Sequence, residues 1–313
     1  MVILRRFLAE DTVDVINVFS ASAAVLVFLA RISLFSRVHR RVPVVGSVMG
    51  LQSSATERAL ITHGRVWMTA LGVRTLVVIS PAIEAIVRRL PISRNRIRHV
   101  ATVGIDMPEP GDPKRISALR RCLLGREADA LVMTVGQLEP RKSHDLFVLA
   151  ARSVVDVRPQ TRFVVVGQGK QQMALVNQVA DLGLQDHILF VGERTDVDDL
   201  LACADVYVKP GIVEGFIGIT VLEAQAARVP VVAFDTRDVR MAITSGATGW
   251  IVSPGDTTAL SVQILRLLQE PHSSSAIVES AYRQVVERFE INVAARALER
   301  LYLEMVSSRT LRD

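Results

Sequence analysis

Residues 209–235 read KPGIVEGFIGITVLEAQAARVPVVAFD, and they carry the strongest indication of the fold. The run VYVKP, which ends at 210, is typical of a short strand and leads into an acidic, glycine-rich loop at 214–218. A helix-like run with Glu223 follows, and VPVVAF then has the β-branched composition of a second strand. The order strand, loop, helix, strand predicts a parallel α/β unit, in which ligands bind at loops that follow the carboxyl ends of strands.

The loop at 214–218 suits an anion that lies next to hydroxyl groups. Free backbone N–H groups and the helix dipole at a helix N-terminus favour an anion, typically phosphate. Ionised carboxylates only accept hydrogen bonds, so Glu214 and Glu223 would suit the paired hydroxyls of a sugar or a ribose. These residues therefore predict a site for a phosphorylated sugar or a nucleotide.

The rest of the chain repeats this alternation on both sides of a breaker-rich stretch, MPEPGDP at 107–113, which we interpret as a domain linker. A length of 313 residues, half of them apolar, is enough for two domains with separate cores. Strands are predicted at 14–19, 42–49, 74–79 and 96–102 before the linker, and at 130–136, 162–167, 187–191, 205–209, 230–234 and 249–252 after it. Helices are predicted at 1–10, 20–36, 52–71 and 81–90 in the first part and between the strands of the second, including 238–245. One long helical segment at 273–307 closes the chain. The alternation predicts parallel sheets of the doubly wound type.

The stretch at 209–235 resembles the donor-site motif of the family-4 retaining glycosyltransferases, which have the GT-B architecture. That family carries a Glu, a Gly-aromatic-Gly turn and a second Glu in the pattern E-x7-E. Here Glu214 and Glu223 are separated by eight residues, as if Ile217 were inserted. The resemblance implies an α/β fold with two Rossmann-like domains with parallel sheets. Residues 1–112 would form an incomplete acceptor-side domain that begins about two strand–helix units late, and 113–313 would form the nucleotide-sugar-binding domain with closing C-terminal helices.

Three further segments resemble the family in the same order. In VGQLEPRKSHD, the family places a Lys at the position of Lys142 on the donor diphosphate, and an Arg at the position where this chain has Gln137. Arg141 is adjacent and could supply the missing charge. The turn GQG at 167–169 follows a strand, and the loop at 192–197 resembles the segment that runs along the nucleotide base. For that loop, a helix N-cap at Thr195 or Asp196 is an equally good interpretation.

The resemblance implies a set of site residues and no metal ion. Glu214 and Lys142 would be catalytic. The donor would be bound by Gly136, Gln137, Arg141, Gly167, Gly169, Arg194, Gly215, Phe216, Gly218, Ile219 and Glu223. Met49 and Met241 stand where the family commonly has a His and a Glu. We interpret His63, His99 and His144 as surface or hydrogen-bonded residues without a catalytic role.

The function that follows from the resemblance is transfer of a sugar from a nucleotide-diphosphate-sugar donor to an acceptor hydroxyl with retention of configuration. The donor would be a substrate, and no cofactor is expected. Two alternatives stay open at this point. One is a truncated or decayed homologue that binds nucleotide without turnover or pairs with an intact transferase. The other is a different GT-B enzyme, such as a sugar-nucleotide epimerase.

Charge is distributed unevenly along the chain and bears on its partners. Residues 1–126 carry a net charge of +11, whereas the remainder carries −6. The basic part would suit an anionic membrane surface, in addition to a glycan or lipid-linked acceptor. No nucleic-acid partner is expected, because the arginines are scattered without interleaved aromatic residues. Two distant cysteines and the short apolar run at 15–30 favour a cytoplasmic protein, peripheral at most to the inner face of the membrane.

Overall fold

The computed structural model describes residues 13–18, 27, 43–48, 73, 75–78, 84, 87–89, 97–99, 103–109, 111–212 and 218–310. The chain forms two compact units, one of Met1–Gly104 with Ile291–Asp313, and the other of Ile105–Glu290. This division differs from the predicted boundary near 112. The N–H of Ile105 already donates to the carbonyl of Phe289 (2.8 Å), and the residues from Ile291 onward group with the first unit instead of the second.

The first unit contains a parallel sheet whose four described strands lie in the order β1-β2-β3-β4. The strands are β1 (Ile16–Val18), β2 (Val44–Val48), β3 (Thr75–Val78) and β4 (Ile97–His99). They confirm the strands predicted at 14–19, 42–49, 74–79 and 96–102. The helices predicted at 1–10, 20–36, 52–71 and 81–90 lie largely outside the described residues, as does Met49.

The last helix of the chain packs on this first sheet. Leu301 and Met305 form a buried cluster with Val45 of β2 and Val77 of β3. The side-chain amide of Asn17 also donates to the hydroxyl of Tyr302 (2.6 Å). The helix therefore belongs to the first unit because it covers one face of that sheet.

The second unit contains a six-stranded parallel sheet in the order β10-β9-β8-β5-β6-β7. Its strands are β5 (Ala130–Val135), β6 (Thr161–Val166), β7 (Ile188–Gly192), β8 (Val206–Lys209), β9 (Val231–Phe234) and β10 (Trp250–Val252). The chain builds outward from β5 to β7, returns to the other side of β5 with β8, and then continues to β10. This is the doubly wound order, in which the direction reverses between β5 and β8. Helices cover both faces, so the central strands are almost continuously apolar and buried.

The helices that follow are α1 (Pro113–Leu124), α2 (His144–Val157), α3 (Gln172–Asp181), α4 (Val197–Ala202), α5 (Ile219–Ala226), α6 (Val239–Ala242), α7 (Thr257–Gln269), α8 (Ser275–Arg288) and α9 (Ile291–Thr310). Two of them differ from prediction. The helix expected at 238–245 has one turn, because the chain closes a tight loop at Thr244–Gly249 through the N–H of Gly246 and the carbonyl of Gly249 (2.8 Å). The segment expected at 273–307 is two helices, interrupted at Phe289–Glu290, where the chain leaves the second unit. Among the described residues, none of these helices is long and apolar enough to cross a membrane.

Candidate functional site

The reversal between β5 and β8 creates the crevice where doubly wound sheets bind ligands. The loop 136–143 leaves the carboxyl end of β5, and the segment from Pro210 to Gly218 leaves that of β8. Glu214, Gly215 and Phe216, which sequence reasoning placed here, lie outside the described residues. Their predicted roles therefore stay predictions, and the site is built from the residues around them.

The loop after β5 brings together the three polar residues predicted from VGQLEPRKSHD. The guanidinium of Arg141 donates to the side-chain oxygen of Gln137 (3.0 Å) and to the carboxylate of Glu139 (2.8 Å). An arginine thus lies directly against the amide that stands at the family's Arg position. Lys142 belongs to the same loop, in a short 3₁₀ turn at Pro140–Lys142.

The glycines of the GQG turn at 167–169 hold this loop in place. A Cβ on Gly167 would overlap the carbonyl group of Gly136, only 2.9 Å from its carbon, and one on Gly169 would lie 2.5 Å from the carbonyl oxygen of Leu138. The N–H of Leu138 also donates to the carbonyl of Gln168 (3.0 Å). Both glycines are therefore required for close packing of the loops that follow β5 and β6. Their predicted contact with the donor stays a prediction.

His144 is a residue of the site that sequence reasoning missed. It is the first residue of α2 and is 1% exposed, so it is not a surface histidine. Its Nε2 donates to the carbonyl of Gln137 (3.2 Å), whereas Nδ1 is buried with no hydrogen-bond partner in the described part of the chain. Burial, and then the charges of Lys209 and Lys142, lower the pKa of His144 to about 4 against the opposing effect of the backbone hydrogen bonds. The imidazole is therefore neutral at pH 7.

Lys209 is the second residue that sequence reasoning missed. It ends β8, the strand at the reversal point, and is 3% exposed. A Cβ on Gly218 would lie 3.4 Å from its Cε, so the lysine runs against the residue that precedes α5. Its sequence context, at the end of a strand and before a proline, does not distinguish it from the many lysines that lie in loops. The signal that could have identified it is the rarity of lysine, since the chain has only four.

Glu223 lies on α5 next to this loop region and is half-buried. Burial, and secondarily the charge of Asp198, raise its pKa above the ordinary value. Within the described ranges its carboxylate has no hydrogen bond and no ion pair. A desolvated carboxylate without a cation is costly for the fold, and such groups are found most often at binding and catalytic sites. Ile219, also predicted here, begins α5 and is partly exposed.

The loop after β7 carries an ion pair instead. Arg194 donates to both carboxylate oxygens of Asp196 (2.8 and 2.6 Å), which lowers the pKa of Asp196 and raises that of Arg194. Asp196 precedes α4, but neither its side chain nor that of Thr195 makes a capping hydrogen bond to this helix. After β9, Asp238 is buried, and Met241 is half-buried in the one-turn α6.

Comparison with known proteins identifies the family to which this constellation belongs. A profile of the group 1 glycosyl transferases matches residues 118–284. The lipopolysaccharide core biosynthesis mannosyltransferase LpsB of Rhizobium meliloti is 31% identical over 206 residues, which are 64% of this chain and 58% of that protein. An Escherichia coli UDP-Gal:alpha-D-GlcNAc-diphosphoundecaprenol alpha-1,3-galactosyltransferase is 22% identical over 317 residues, covering 99% of this chain and 80% of that protein.

Solved structures agree on the fold. The structure of Anabaena HepE in complex with UDP superposes with a TM-score of 0.82 at 20% identity, over 96% of this chain and 80% of that one. A glycosyltransferase from Rickettsia africae gives a TM-score of 0.80 at 17% identity, over 97% of this chain and 80% of that one. Most of the curated relatives are longer, and the chain spans about half to three-fifths of their length. The chain belongs to the group 1 glycosyl transferases and has the GT-B architecture.

Proposed function

We propose that this protein is a retaining hexosyltransferase of family 4, which moves a sugar from a nucleotide-diphosphate-sugar donor to an acceptor hydroxyl. The observation that supports this most strongly is the half-buried carboxylate of Glu223, which has no partner in the described residues, close to the reversal point of the sheet. A carboxylate held in this way is ready to accept hydrogen bonds from a diol. In the proposed complex it binds the two ribose hydroxyls of the donor.

The donor diphosphate would lie over the loop after β5. Lys142 belongs to this loop and would act as a point charge, and the guanidinium of Arg141 lies within hydrogen-bond distance of Gln137. As the bond between the sugar and the leaving oxygen breaks, negative charge grows on the diphosphate, and fixed cations stabilise it most at that stage. Lysine and arginine can supply this charge, so we propose that the reaction needs no metal ion.

The remaining predicted donor residues have more distant or less direct roles in this proposal. Gly136, Gly167 and Gly169 shape the phosphate loop, while Gly218 and Ile219 begin the helix that carries Glu223. Arg194 would lie along the base once its pair with Asp196 rearranges. Glu214, with Gly215 and Phe216, would approach the sugar ring, as the family resemblance implies.

The acceptor is proposed to be a glycan or a lipid-linked sugar. Relatives include the lipopolysaccharide enzyme LpsB and a phosphatidyl-myo-inositol mannosyltransferase of Mycobacterium leprae. Together with the basic N-terminal part, this favours polysaccharide or glycolipid synthesis at the cytoplasmic face of a membrane.

Calorimetric titration tests the donor site first. UDP, GDP and ADP are titrated into the wild type, Glu223→Gln and Glu287→Gln, the last replacing an exposed glutamate of α8. One nucleotide should bind the wild type. The Glu223→Gln variant should bind it about 10–100-fold more weakly, because a charge-assisted hydrogen bond contributes about 1.5–3 kcal/mol. Unfolding curves of both variants show whether any loss reflects the site or the fold.

Turnover then separates the transferase from a protein that only binds nucleotide. The matching donor sugar is incubated with acceptor extracts and with water alone, and the anomeric configuration of the product is read from proton coupling constants. Transfer with the donor's configuration retained, and unchanged by EDTA, is expected. Binding without transfer or hydrolysis would favour the non-catalytic alternative, an inverted product would exclude retention, and no nucleotide binding by the folded protein would end the proposal.

A further inference from the structure

Lys209 has a place in the site that the family pattern does not assign. It lies at the carboxyl end of β8, the strand that neighbours β5 at the reversal point, and its side chain is almost completely buried. Lysine is rarely buried this completely, and then usually with a partner. A lysine buried at the strand ends that form a binding crevice is a candidate for a functional charge.

Two of the chain's four lysines act on the same imidazole. The charges of Lys209 and Lys142 both lower the pKa of His144. A Cβ on Gly136 would lie 3.7 Å from Cδ of Lys142 and 3.8 Å from Nε2 of His144, so these groups surround the end of β5. Lys209 approaches from β8, since a Cβ on Gly218, just before α5, would lie 3.4 Å from its Cε. One lysine from the loop after β5 and one from the end of β8 therefore act on the same neutral histidine.

The type of residue also fits this position. The chain uses 33 arginines and four lysines, so a basic residue is an arginine in most places. Lysine is a compact point charge on a narrow stem and fits beneath a phosphate group in a confined position, whereas the planar guanidinium needs more space. The loop after β5 has the uncharged Gln137 where the family has an arginine, whereas Lys209 supplies a positive charge in the same crevice.

We propose that Lys209 is the second cation of the donor diphosphate subsite, acting from the floor of the crevice opposite Lys142. This inference rests on the proposed donor site and deepens it, since it assigns the positive charge that Gln137 does not provide. His144 separates the two lysines as a neutral group and so avoids adding a third positive charge to a buried cluster. The subsite would recognise a diphosphate group, independently of the base and the sugar.

Comparison of UDP, UMP and uridine by calorimetry tests the assignment. The titrations use the wild type, Lys209→Met, Lys209→Arg and Lys142→Met, with Lys170→Met as the control at an exposed lysine. In Lys209→Met, UDP should bind at least about tenfold more weakly while uridine binds within twofold of the wild type. Lys209→Arg, which keeps the charge on a bulkier group, should bind UDP more weakly than the wild type but more tightly than Lys209→Met, and Lys170→Met should match the wild type. If the wild type prefers GDP, the same comparison is made with GDP, GMP and guanosine.

The alternative is a structural lysine whose charge is balanced within the fold. In that case Lys209→Met would lower the unfolding temperature and weaken UDP and uridine by the same factor, which would overturn the proposal. If Lys209→Met does not fold, Lys209→Arg decides. A folded Lys209→Arg that binds UDP and uridine more weakly by the same factor would also overturn the proposal. Failure of the wild type to bind any nucleotide would instead reject the donor site itself.

Discussion

The two ends of the second sheet differ in whether their charged and polar groups have partners. At the amino end, a cavity of about 610 Å³ is lined by Arg158, Arg228, Asp129, Asp205 and Glu279. Each of these charges has a partner within hydrogen-bond distance, as in Arg158 with Asp129 (2.9 Å) and Arg228 with Glu279 (3.2 Å). Asp205 is bound by Arg120 (2.8 Å), which is outside the cavity. The amino end is therefore a structural region stabilised by ordinary ion pairs.

At the carboxyl end, around β5, β8 and α5, polar groups are instead buried at a cost to the fold. His144 has a ring nitrogen without a partner in the described residues, and Glu223 is desolvated there without a cation. Lys209, the last residue of β8, is buried as well. The difference indicates that the cavity at the amino end is not the functional site. The functional end is the one where burial and charge oppose each other.

The largest expected effect comes from breaking the loop packing at the carboxyl end with Gly167→Ala. The new Cβ would overlap the carbonyl of Gly136, and φ at this residue is +134°, which L side chains rarely adopt. The backbone must shift, so we expect a loss of about 3 kcal/mol or more in the free energy of unfolding, measured by urea denaturation.

The matched control is Gly183→Ala, where φ is +64° and no atom lies within 4 Å of the added carbon. Only the left-handed conformation is then penalised, by about 1 kcal/mol. Equal losses in the two variants would show that the loops after β5 and β6 are not packed as tightly as the structure indicates.

A smaller effect is expected from the titration of His144. Because the pKa of the folded state is about 4 and that of the unfolded chain is near 6.5, the unfolded chain takes up a proton first as the pH falls. Stability is therefore complete above about pH 6.5 and declines between pH 6.5 and 4, by about 2–3 kcal/mol at pH 4.

The measurement is the unfolding free energy at pH 7, 5.5 and 4 in the wild type and in His144→Gln, which stays neutral throughout. The difference between their slopes isolates His144 from the carboxylates that titrate in the same range. His272→Gln replaces an exposed histidine and serves as the control. A wild-type slope that persists in His144→Gln would contradict the burial of an unprotonated imidazole.

The sequence predicted the secondary structure and the class of site because those depend on local pattern. The run TRFVVV at 161–166 could only be a buried strand in an alternating α/β chain, and the GQG turn after it marked a close approach of backbone. Comparison with known proteins confirms the predicted GT-B fold. The break at Phe289–Glu290 was missed because the helical period continues across it, while the path back to the first unit is decided by tertiary contacts.

The missed site residues have the same explanation. The sequence does not tell which strand becomes the neighbour of β5, and it is this pairing that buries Lys209 and brings it towards His144. Lys142 and Glu223 were predicted because they match a motif. Lys209 and His144 have no motif, and only the folded sheet shows that the charge of Lys209 acts on the imidazole of His144.

The smallest predicted effect compares two non-glycine residues with left-handed backbone, one at each end of the sheet. Ser143 (φ +51°) precedes α2 and makes no capping hydrogen bond, whereas Arg228 (φ +57°) lies 3.5 Å over the ring of Tyr282 and pairs with Glu279. Ser143→Gly should raise the unfolding free energy by about 0.5–1 kcal/mol, because glycine relieves the left-handed strain. Arg228→Gly should gain as much backbone relief but lose a cation–π contact of about 0.5–1 kcal/mol, and so change little. Urea denaturation of both variants measures the two changes. Equal stabilisation by both substitutions would mean that the side chain of Arg228 does not contribute to the unfolding free energy at the amino end.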